Sequence, residues 1–522
     1  MQLPATFSKV LRGIFAAFLI YFAIRLLIYH YEVVSFPYSN TLREGALVAT
    51  TSLLAHGINP YSMEVQPQYT NIYGIVYPAI VWPFASLWGQ TLPVHRAVTG
   101  LFIFACCFVM FGVLAQKKVP FLVNASVVLM LYASLLYPGT STPCVDPAAT
   151  ALLFMLLTIF IPYFLRYSYQ SLVLSALFGI LAFYTKLYLV LGLPIMASYL
   201  FLFVSKKKGL LYAGGAFLLF ALSAVVMNAI FPCYFNNCFF VHSNYAAEWA
   251  TMERLESQLK SYSLLHMGSI ILVIGSLIYG LRSLIKSGQG QSLKRDVLDF
   301  PKRMQWFSFE EPLVKASFPV DIYAGICALM VLLLCLGKHG GATLWYFFQL
   351  LSPFLLMAVA QVASSISLWP IVAMPLLVFN LYSLTAQHQF HKDMEGWSHV
   401  RPLINSTNRV LCSPLIAPLL IEQNREIFDD GQTEYFLYGA FRRGIWKNFL
   451  KEDPRVYMAM TIYLSKLEQM IQHKEFGLLV ISGCPPSVQD NIKKFYKRVG
   501  EFLVYVPQDG RPYALSIWVP AK

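Results

Sequence analysis

The sequence predicts a polytopic α-helical membrane protein of about eleven spans, with a small α/β domain after residue 385. Three observations carry this expectation. Charged residues make up 12% of the 522 residues, about half of what a soluble surface carries. Apolar runs of spanning or near-spanning length recur down to about residue 385. Beyond that point charge, Asn and Gln return, and the apolar residues gather into short β-like runs. The hydrophobic content of 57% excludes a disordered chain, and collagen and coiled coil are excluded with it. A length that would otherwise make three or four soluble domains divides here into a lipid-embedded unit, 1–385, and a tail, 386–522.

The formal charge of +13 raises the question of a nucleic-acid partner. In a chain this apolar, the excess Lys and Arg read instead as cytoplasmic loops, and no nucleic acid is expected. The nine Cys residues form no framework and include no CxxC pair. Cys106, Cys107 and Cys327 lie in apolar runs and read as small core residues. Cys233 and Cys238, in CYFNNC, are spaced to pair if their loop faces an oxidising compartment.

The first apolar run, 10–30, is long enough to span and is followed by no small-residue cleavage site, so it reads as a retained span. The others are 97–115, 120–137, 147–165, 171–184, 187–204, 209–231, 263–283, 319–336, 345–365 and 367–385. The stretch 73–89 is short and interrupted by Pro78 and Pro83. The positive-inside rule decides its place. Let the N-terminus be cytoplasmic and let 73–89 lie in or dip into the outer interface. The inner side then carries Lys9, Arg12, Lys117, Lys118, Arg166, Lys206 to Lys208 and seven cations of the 282–318 loop, fifteen in all. The outer side carries six, namely Arg43, Arg96, Lys186, Arg254, Lys260 and Lys338. A crossing at 73–89 would turn the lysine triplet outward. The outer face thus receives 31–96, 138–146, 232–262, the turn 338–343 and the tail. No internal repeat is visible, which weighs against an inverted-repeat transporter.

In the tail, VLCS (410–413), EYFLY (434–438), GLLVIS (477–482), EFLVYV (501–506) and YALSIWV (513–519) read as strands. Segments 456–472 and 487–499 read as helices. Lys493, Lys494, Lys497 and Arg498 fall on one face of the second. That face is either solvated or in contact with anionic lipid or acceptor.

Ionisable groups at membrane depth are costly and mark places to look for chemistry. Glu44 has the T-x-x-E spacing of a capping box with Thr41, so it either caps a surface helix or aims a carboxylate into a cavity. Asp146 stands before Pro147 at the mouth of a span, a good N-cap and N1 pair, and it is the only charge in its loop. Lys186 interrupts a long apolar run beside Thr185. It either snorkels from a tight turn or meets an anionic head group. The helix before it has about 14 apolar residues, roughly 21 Å of rise, which sets Lys186 below the outer surface. Lys338 and His339 precede a Gly340-Gly341 bend, with Tyr346 and Gln349 following. Tyr61, Tyr69, Tyr73, Tyr77, Trp82 and Trp88 form an aromatic belt, some of it placed to stack on a sugar. No metal motif and no cofactor motif is present.

The strings that hold these residues resemble the GT-C glycosyltransferases, polytopic enzymes that use polyprenyl-phosphate sugars. REGALVATTSLLAHGINPYS, NIYGIVYPAIVWPFASLWG and HRAV resemble the family's first outer loop. VDPAATALLFMLL resembles its second-loop Asp motif, LAFYTKLYLVL its Lys motif, and KHGGATLWYFFQLLSPFL its late loop-and-span motif. The similarity covers most of 30–360 and is nearest to the aminoarabinose and protein-mannosyl transferase branch. It departs at Glu44, where many members carry Asp. The resemblance implies an integral protein of a bacterial inner membrane with its site and tail on the periplasmic side. It also implies an inverting transferase that moves a sugar from a polyprenyl-phosphate donor to a hydroxyl of a glycan, lipid or protein. Glu44 is the first candidate for the base and Asp146 the second. Lys186 is assigned to the donor phosphate, helped by Arg43, Lys338 and His339, with Tyr61, Tyr73 and Tyr346 lining the substrate. The competing readings are a transporter or flippase of a lipid-linked anion, and a non-catalytic assembly subunit.

Overall fold

The computed structural model describes residues 5–137, 140, 142–241, 252–286, 309–314, 318–335, 347–385, 390–428, 454–482, 486–506 and 511–521. The chain opens with α1 (Ala5–Ser35), α2 (Glu44–Ala55), α3 (Val76–Trp88), α4 (Leu92–Gln116), α5 (Phe121–Leu135), α6 (Ala148–Phe164) and α7 (Tyr169–Thr185). A 3-10 turn, Leu187–Leu191, leads into α8 (Gly192–Tyr199) and a π turn, Leu200–Val204. There follow α9 (Lys206–Ile230), α10 (Met252–Lys286), α11 (Val320–Cys335), a π turn Phe347–Leu351 running into α12 (Ser352–Ala363), and α13 (Trp369–Thr385). Each apolar run expected to span coincides with a helical segment, and 73–89 coincides with α3.

α1 shows why the sequence folds this way. It buries Phe15, Leu19, Phe22, Leu26, Tyr29 and Val33, spaced by four and three, and exposes Ile14, Ile20, Tyr21, Ile24 and Ile28. A helix apolar on every face has lipid as its outer solvent. Among the described residues, five segments are both long and apolar enough to cross a membrane: 6–35, 92–116, 187–204, 206–230 and 262–279. The rest are shorter apolar helices packed among them. The chain is accordingly an integral membrane protein.

The loops sort to two ends of the bundle. At one end Lys117 pairs with Asp321, Lys207 Nζ meets Glu310 at 2.7 Å, and Lys208 Nζ donates to the Tyr167 carbonyl at 2.8 Å. At the other end the first loop, the start of α4, residues 142–147 and Lys186 come together. α3 does not take the chain across. Gly74, just before it, bonds through its N–H to the Thr185 carbonyl, and Arg96, just after it, bonds to Glu44, both at this second end.

The tail begins with α14 (Phe390–Asn405), an element not expected from its polar, Pro402-containing sequence. It continues with β1 (Val410–Cys412), α15 (Ala417–Glu422), α16 (Pro454–Gln472), β2 (Leu478–Ile481), α17 (Pro486–Phe495), β3 (Tyr496–Val506) and β4 (Arg511–Pro520). The sheet order is β1-β2-β4-β3, with β1 and β2 parallel and the other pairs antiparallel. Strand alternation splits the core. Val410, Leu478, Val480, Val504, Leu515 and Ile517 face α14, while Leu411, Leu479 and Ile481 face α16 and α17. α14 lays the tail on the first loop: Trp397 stacks on Tyr38 with centroids 4.9 Å apart and planes at 5°. Ser39 Oγ donates to the Leu415 carbonyl at 2.7 Å.

Two expectations for the tail change. The helix expected over 487–499 stops at Phe495, because Tyr496, Lys497 and Arg498 enter the ladder opposite Pro520, Val519 and Trp518. Lys493 and Lys494 therefore end a helix, whereas Lys497 and Arg498 lie on a strand, and no single basic helical face exists. The strand expected at 434–438 lies outside the described residues.

Candidate active site

The second end of the bundle is organised by a guanidinium. Arg96, near the start of α4, is wholly buried. Its Nε reaches Glu44 Oε1 at 2.8 Å and its Nη2 reaches Oε2 at 2.7 Å, a two-pronged fit that a planar fork makes and an ammonium does not. The remaining donors go to the carbonyls of Val33, Phe36 and Tyr38, at the end of α1. One side chain thus ties the exit of α1 to the starts of α2 and α4.

Glu44 is equally buried, and its lone pairs are taken. Oε2 also accepts the Asn40 N–H at 2.6 Å, and Oε1 accepts the Val145 N–H at 2.9 Å. A carboxylate has about four acceptor positions, and four donors fill them. The capping box expected from Thr41 and Glu44 is not formed. Arg43 stands at the N-cap without a side-chain cap, and Thr41 Oγ1 accepts the Arg43 N–H at 3.1 Å. The helix begins at Glu44, which reaches back past its own first turn to Asn40.

Asp146, two residues ahead of α6, combines the cap and the charge roles. Its Oδ1 accepts the Ala148 N–H at 2.7 Å and the Lys186 ammonium at 2.9 Å. Both contacts fall on the same oxygen, and among the described residues Oδ2 carries none. Lys186 closes α7 in extended backbone and turns its side chain inward, to 7% exposure. Its Nζ lies 5.6 Å from the ring centre of Tyr73 and 5.8 Å from that of Tyr188, within cation–π range. Burial holds the ammonium below the ordinary lysine value, Asp146 works against this by charge and hydrogen bond, and nearby Arg43 adds to the lowering. The snorkelling orientation does not occur, because the carboxylate lies on the bundle side.

Gln349, on the π turn before α12, bridges the same region. It accepts from the Tyr188 hydroxyl and donates to Thr142 Oγ1 at 3.2 Å. It is wholly buried, and π turns are frequent at functional sites.

The structure thus brings Glu44, Asp146, Lys186, Arg43 and Tyr73 to one end of the bundle. Tyr61 does not join them. Its ring packs edge-on against Phe231 and Tyr234, and its hydroxyl donates to the Tyr73 carbonyl at 2.5 Å, so it supports the site from inside the core. Lys338, His339 and Tyr346 lie outside the described residues. Cys233 and Cys238 are separate buried thiols: Cys233 meets Met63 and Cys238 meets the Tyr73 carbonyl. Sequence reading misses Arg96, counted only as a loop cation. The available signal is its position near the start of an apolar helix, a cation at membrane depth that calls for a carboxylate partner.

The fold, an apolar helical bundle followed by a small sheet domain, has a counterpart among solved structures. ArnT from Cupriavidus metallidurans, solved with undecaprenyl phosphate bound, superposes with a TM-score of 0.54 at 11% identity, covering 95% of this chain and 97% of that one. The apo structure of the same protein gives 0.40 at 10% identity, over 96% of this chain and 98% of that one. No protein-family model and no curated protein matches the sequence.

Proposed function

We propose that the chain is an inverting glycosyltransferase that moves a sugar from a polyprenyl-phosphate donor to an acceptor hydroxyl at the periplasmic face of a bacterial inner membrane. The observation that carries this reading is the buried Asp146–Lys186 pair, an acid and an amine from two helix ends. Its setting is a fold whose ArnT representative is known with undecaprenyl phosphate bound.

The donor phosphate brings the charge that Lys186 neutralises, and it competes with Asp146 for Nζ. Asp146, so released, takes the proton of the acceptor hydroxyl as that oxygen attacks the anomeric carbon. The bond from that carbon to the phosphate oxygen breaks, and polyprenyl phosphate departs with the electron pair. Its charge is stabilised by Lys186 and Arg43. A single displacement inverts the anomeric configuration. Phosphate is a good leaving group, so no strong acid is required.

Glu44 takes the supporting role. Its four acceptor positions are occupied, which leaves none for a hydroxyl proton, whereas Asp146 keeps Oδ2. We therefore place the base at Asp146 and the anchor of its loop at Glu44. Lys338, His339 and Tyr346 are proposed for the donor side on the sequence resemblance.

The test is incubation of the purified protein with polyprenyl-phosphate sugars and glycan, lipid and protein acceptors. Release of polyprenyl phosphate, slowed by about 10²–10⁴-fold in Asp146→Asn, is expected. A transporter of lipid-linked anions would move the donor with no bond broken, and intact donor under every acceptor would favour it.

A further inference from the structure

The tail carries a second constellation, on the sheet face turned away from the membrane-embedded helices. In a regular strand, residues three apart point to opposite faces. Arg498 and Glu501 do not, because the β3–β4 register shifts between Arg498 and Gly500. This bulge re-aims one side chain, a device found beside binding sites, and the two residues meet as an ion pair. Across the ladder they face Trp518 and Ser516. Trp518 Nε1 donates to Ser516 Oγ at 3.1 Å. α17 flanks this square with Gln489 and Lys493, and together they line a half-open pocket of about 230 Å³.

We propose that this pocket binds an acidic sugar, a single ring bearing a carboxylate or a phosphate. The chemistry is that of a carbohydrate site: an indole beside polar side chains, with Glu501 and Gln489 supplying hydroxyl partners, while Ser516 Oγ, which donates to the Ile481 carbonyl at 3.1 Å, fixes the indole. Two cations against one carboxylate leave a positive balance, which Lys493 and Arg498 offer to an anion through charge-assisted bonds. The volume is below the roughly 300 Å³ at which drug-sized ligand sites begin, so it suits a single ring. The sheet separates the pocket from Asp146. The bound ring is therefore a remote part of an extended acceptor glycan rather than the reacting unit. That last assignment rests on the proposed transfer reaction; the binding itself does not.

The experiment titrates full-length protein in detergent with three probes: a galacturonate trisaccharide, a hexose phosphate and neutral maltotriose. Binding is read by calorimetry in the absence of donor. The acidic probes should bind at least tenfold more tightly than maltotriose, and the tighter of the two identifies the anion. Arg498→Gln and Lys493→Gln, both exposed positions, should each weaken the acidic probe by about tenfold. Asp146→Asn should bind it as the wild type does, which separates this site from the transfer reaction. Absence of binding by every probe, maltotriose binding as tightly as the acidic sugars, or unchanged affinity in both variants would overturn the proposal.

Discussion

The Val145 N–H donates to Glu44 Oε1 at 2.9 Å, while the next residue, Asp146, holds Lys186 at 2.9 Å. A carboxylate clamped by Arg96 therefore fixes the backbone beside the second carboxylate. The series Arg96, Glu44, Val145, Asp146, Lys186 connects the starts of α4, α2 and α6 to the end of α7. Residues more than a hundred positions apart are held in one polar series at the edge of an apolar bundle. Every member is paired, as buried charge requires.

The Arg96–Glu44 pair is the part most sensitive to one-sided change. Removing one partner of a buried pair leaves the other uncompensated and costs about 3–5 kcal/mol. Glu44→Gln and Arg96→Met are each expected to lose that much, read as a lowered Tm in detergent. Arg96→Lys should fall nearly as far, because an ammonium cannot serve Glu44 and three carbonyls together. The double variant Glu44→Gln/Arg96→Met should be less damaged than the sum of the singles. Strict additivity in this cycle would mean that the pair is not coupled.

For Asp146→Asn the expected loss is catalytic. Asn is as good a helix cap as Asp, so the bond to Ala148 survives while the base is lost. General base catalysis contributes typically about 10²–10⁴-fold, and transfer should drop by that order, with donor binding retained. Lys186 is left without its carboxylate, so stability is compared with that of Asp146→Asn/Lys186→Met. Transfer within twofold of wild type in Asp146→Asn would move the base elsewhere, and Glu44 would be the next residue to test.

How much of this was legible beforehand depends on what each residue signals locally. The helical segments follow from apolar runs, which are a property of composition. Asp146 and Lys186 were legible as isolated charges in apolar surroundings. Glu44 was legible as a charge but not in its role, since its partner Arg96 lies 52 residues on and no local pattern joins them. Tyr61 looked like a belt aromatic because sequence does not say which way a ring turns. Arg498 read as helical because the ladder that captures it is formed with Trp518, a partner that follows it in the chain. The bulge that re-aims Arg498 is set by pairing and has no signature of its own.

The titration of Lys186 gives a pH dependence whose sign is fixed. Burial lowers its pKa from the ordinary 10.5. Phosphate binding needs the protonated amine, so donor affinity should fall as pH rises, through a value below 10.5. Arg stays charged throughout. Donor affinity in Lys186→Arg, weaker though the fit will be, should lose that alkaline decline. An unchanged alkaline limb in Lys186→Arg would assign the titration to another group.

Gly74 tests how tightly the loop must approach α7. A Cβ built there would lie 1.7 Å from the Tyr184 carbonyl oxygen and 2.8 Å from the Thr185 nitrogen, both backbone atoms that cannot swing away. Gly74→Ala must push the loop off α7, breaking the bond from the Gly74 N–H to the Thr185 carbonyl. Its neighbour Tyr73, whose ring lies by Lys186, moves with it. Overpacking of this kind costs about 1–3 kcal/mol, and donor affinity should fall in parallel with Tm. Gly57→Ala is the contrast, since a Cβ there meets nothing within 4 Å. Its strain comes only from a φ of +71°, and it should spare donor affinity.

Trp397 tests whether the tail stabilises the site. It is wholly buried, stacks on Tyr38 and donates to the Tyr505 carbonyl at 3.3 Å. Tyr38 in turn gives its carbonyl to Arg96 at 2.6 Å, so the tail touches a residue that directly holds the guanidinium. Beside it, Gly396 lies so close to β3 that a Cβ would fall 2.0 Å from the Leu503 carbonyl oxygen, which leaves α14 one way to seat. Trp397→Ala removes a large aromatic from this junction, at a cost of about 3–5 kcal/mol. The expected result is earlier proteolysis between α13 and the tail, together with lower transfer activity. Trp397→Phe keeps the stack on Tyr38 and loses the hydrogen bond, and should recover most of both. If Trp397→Ala loosened the tail while leaving transfer intact, the tail would be an attachment with no hold on the Arg96–Glu44 pair. Joint loss and joint recovery would make Tyr38 the point where the two parts of the chain meet.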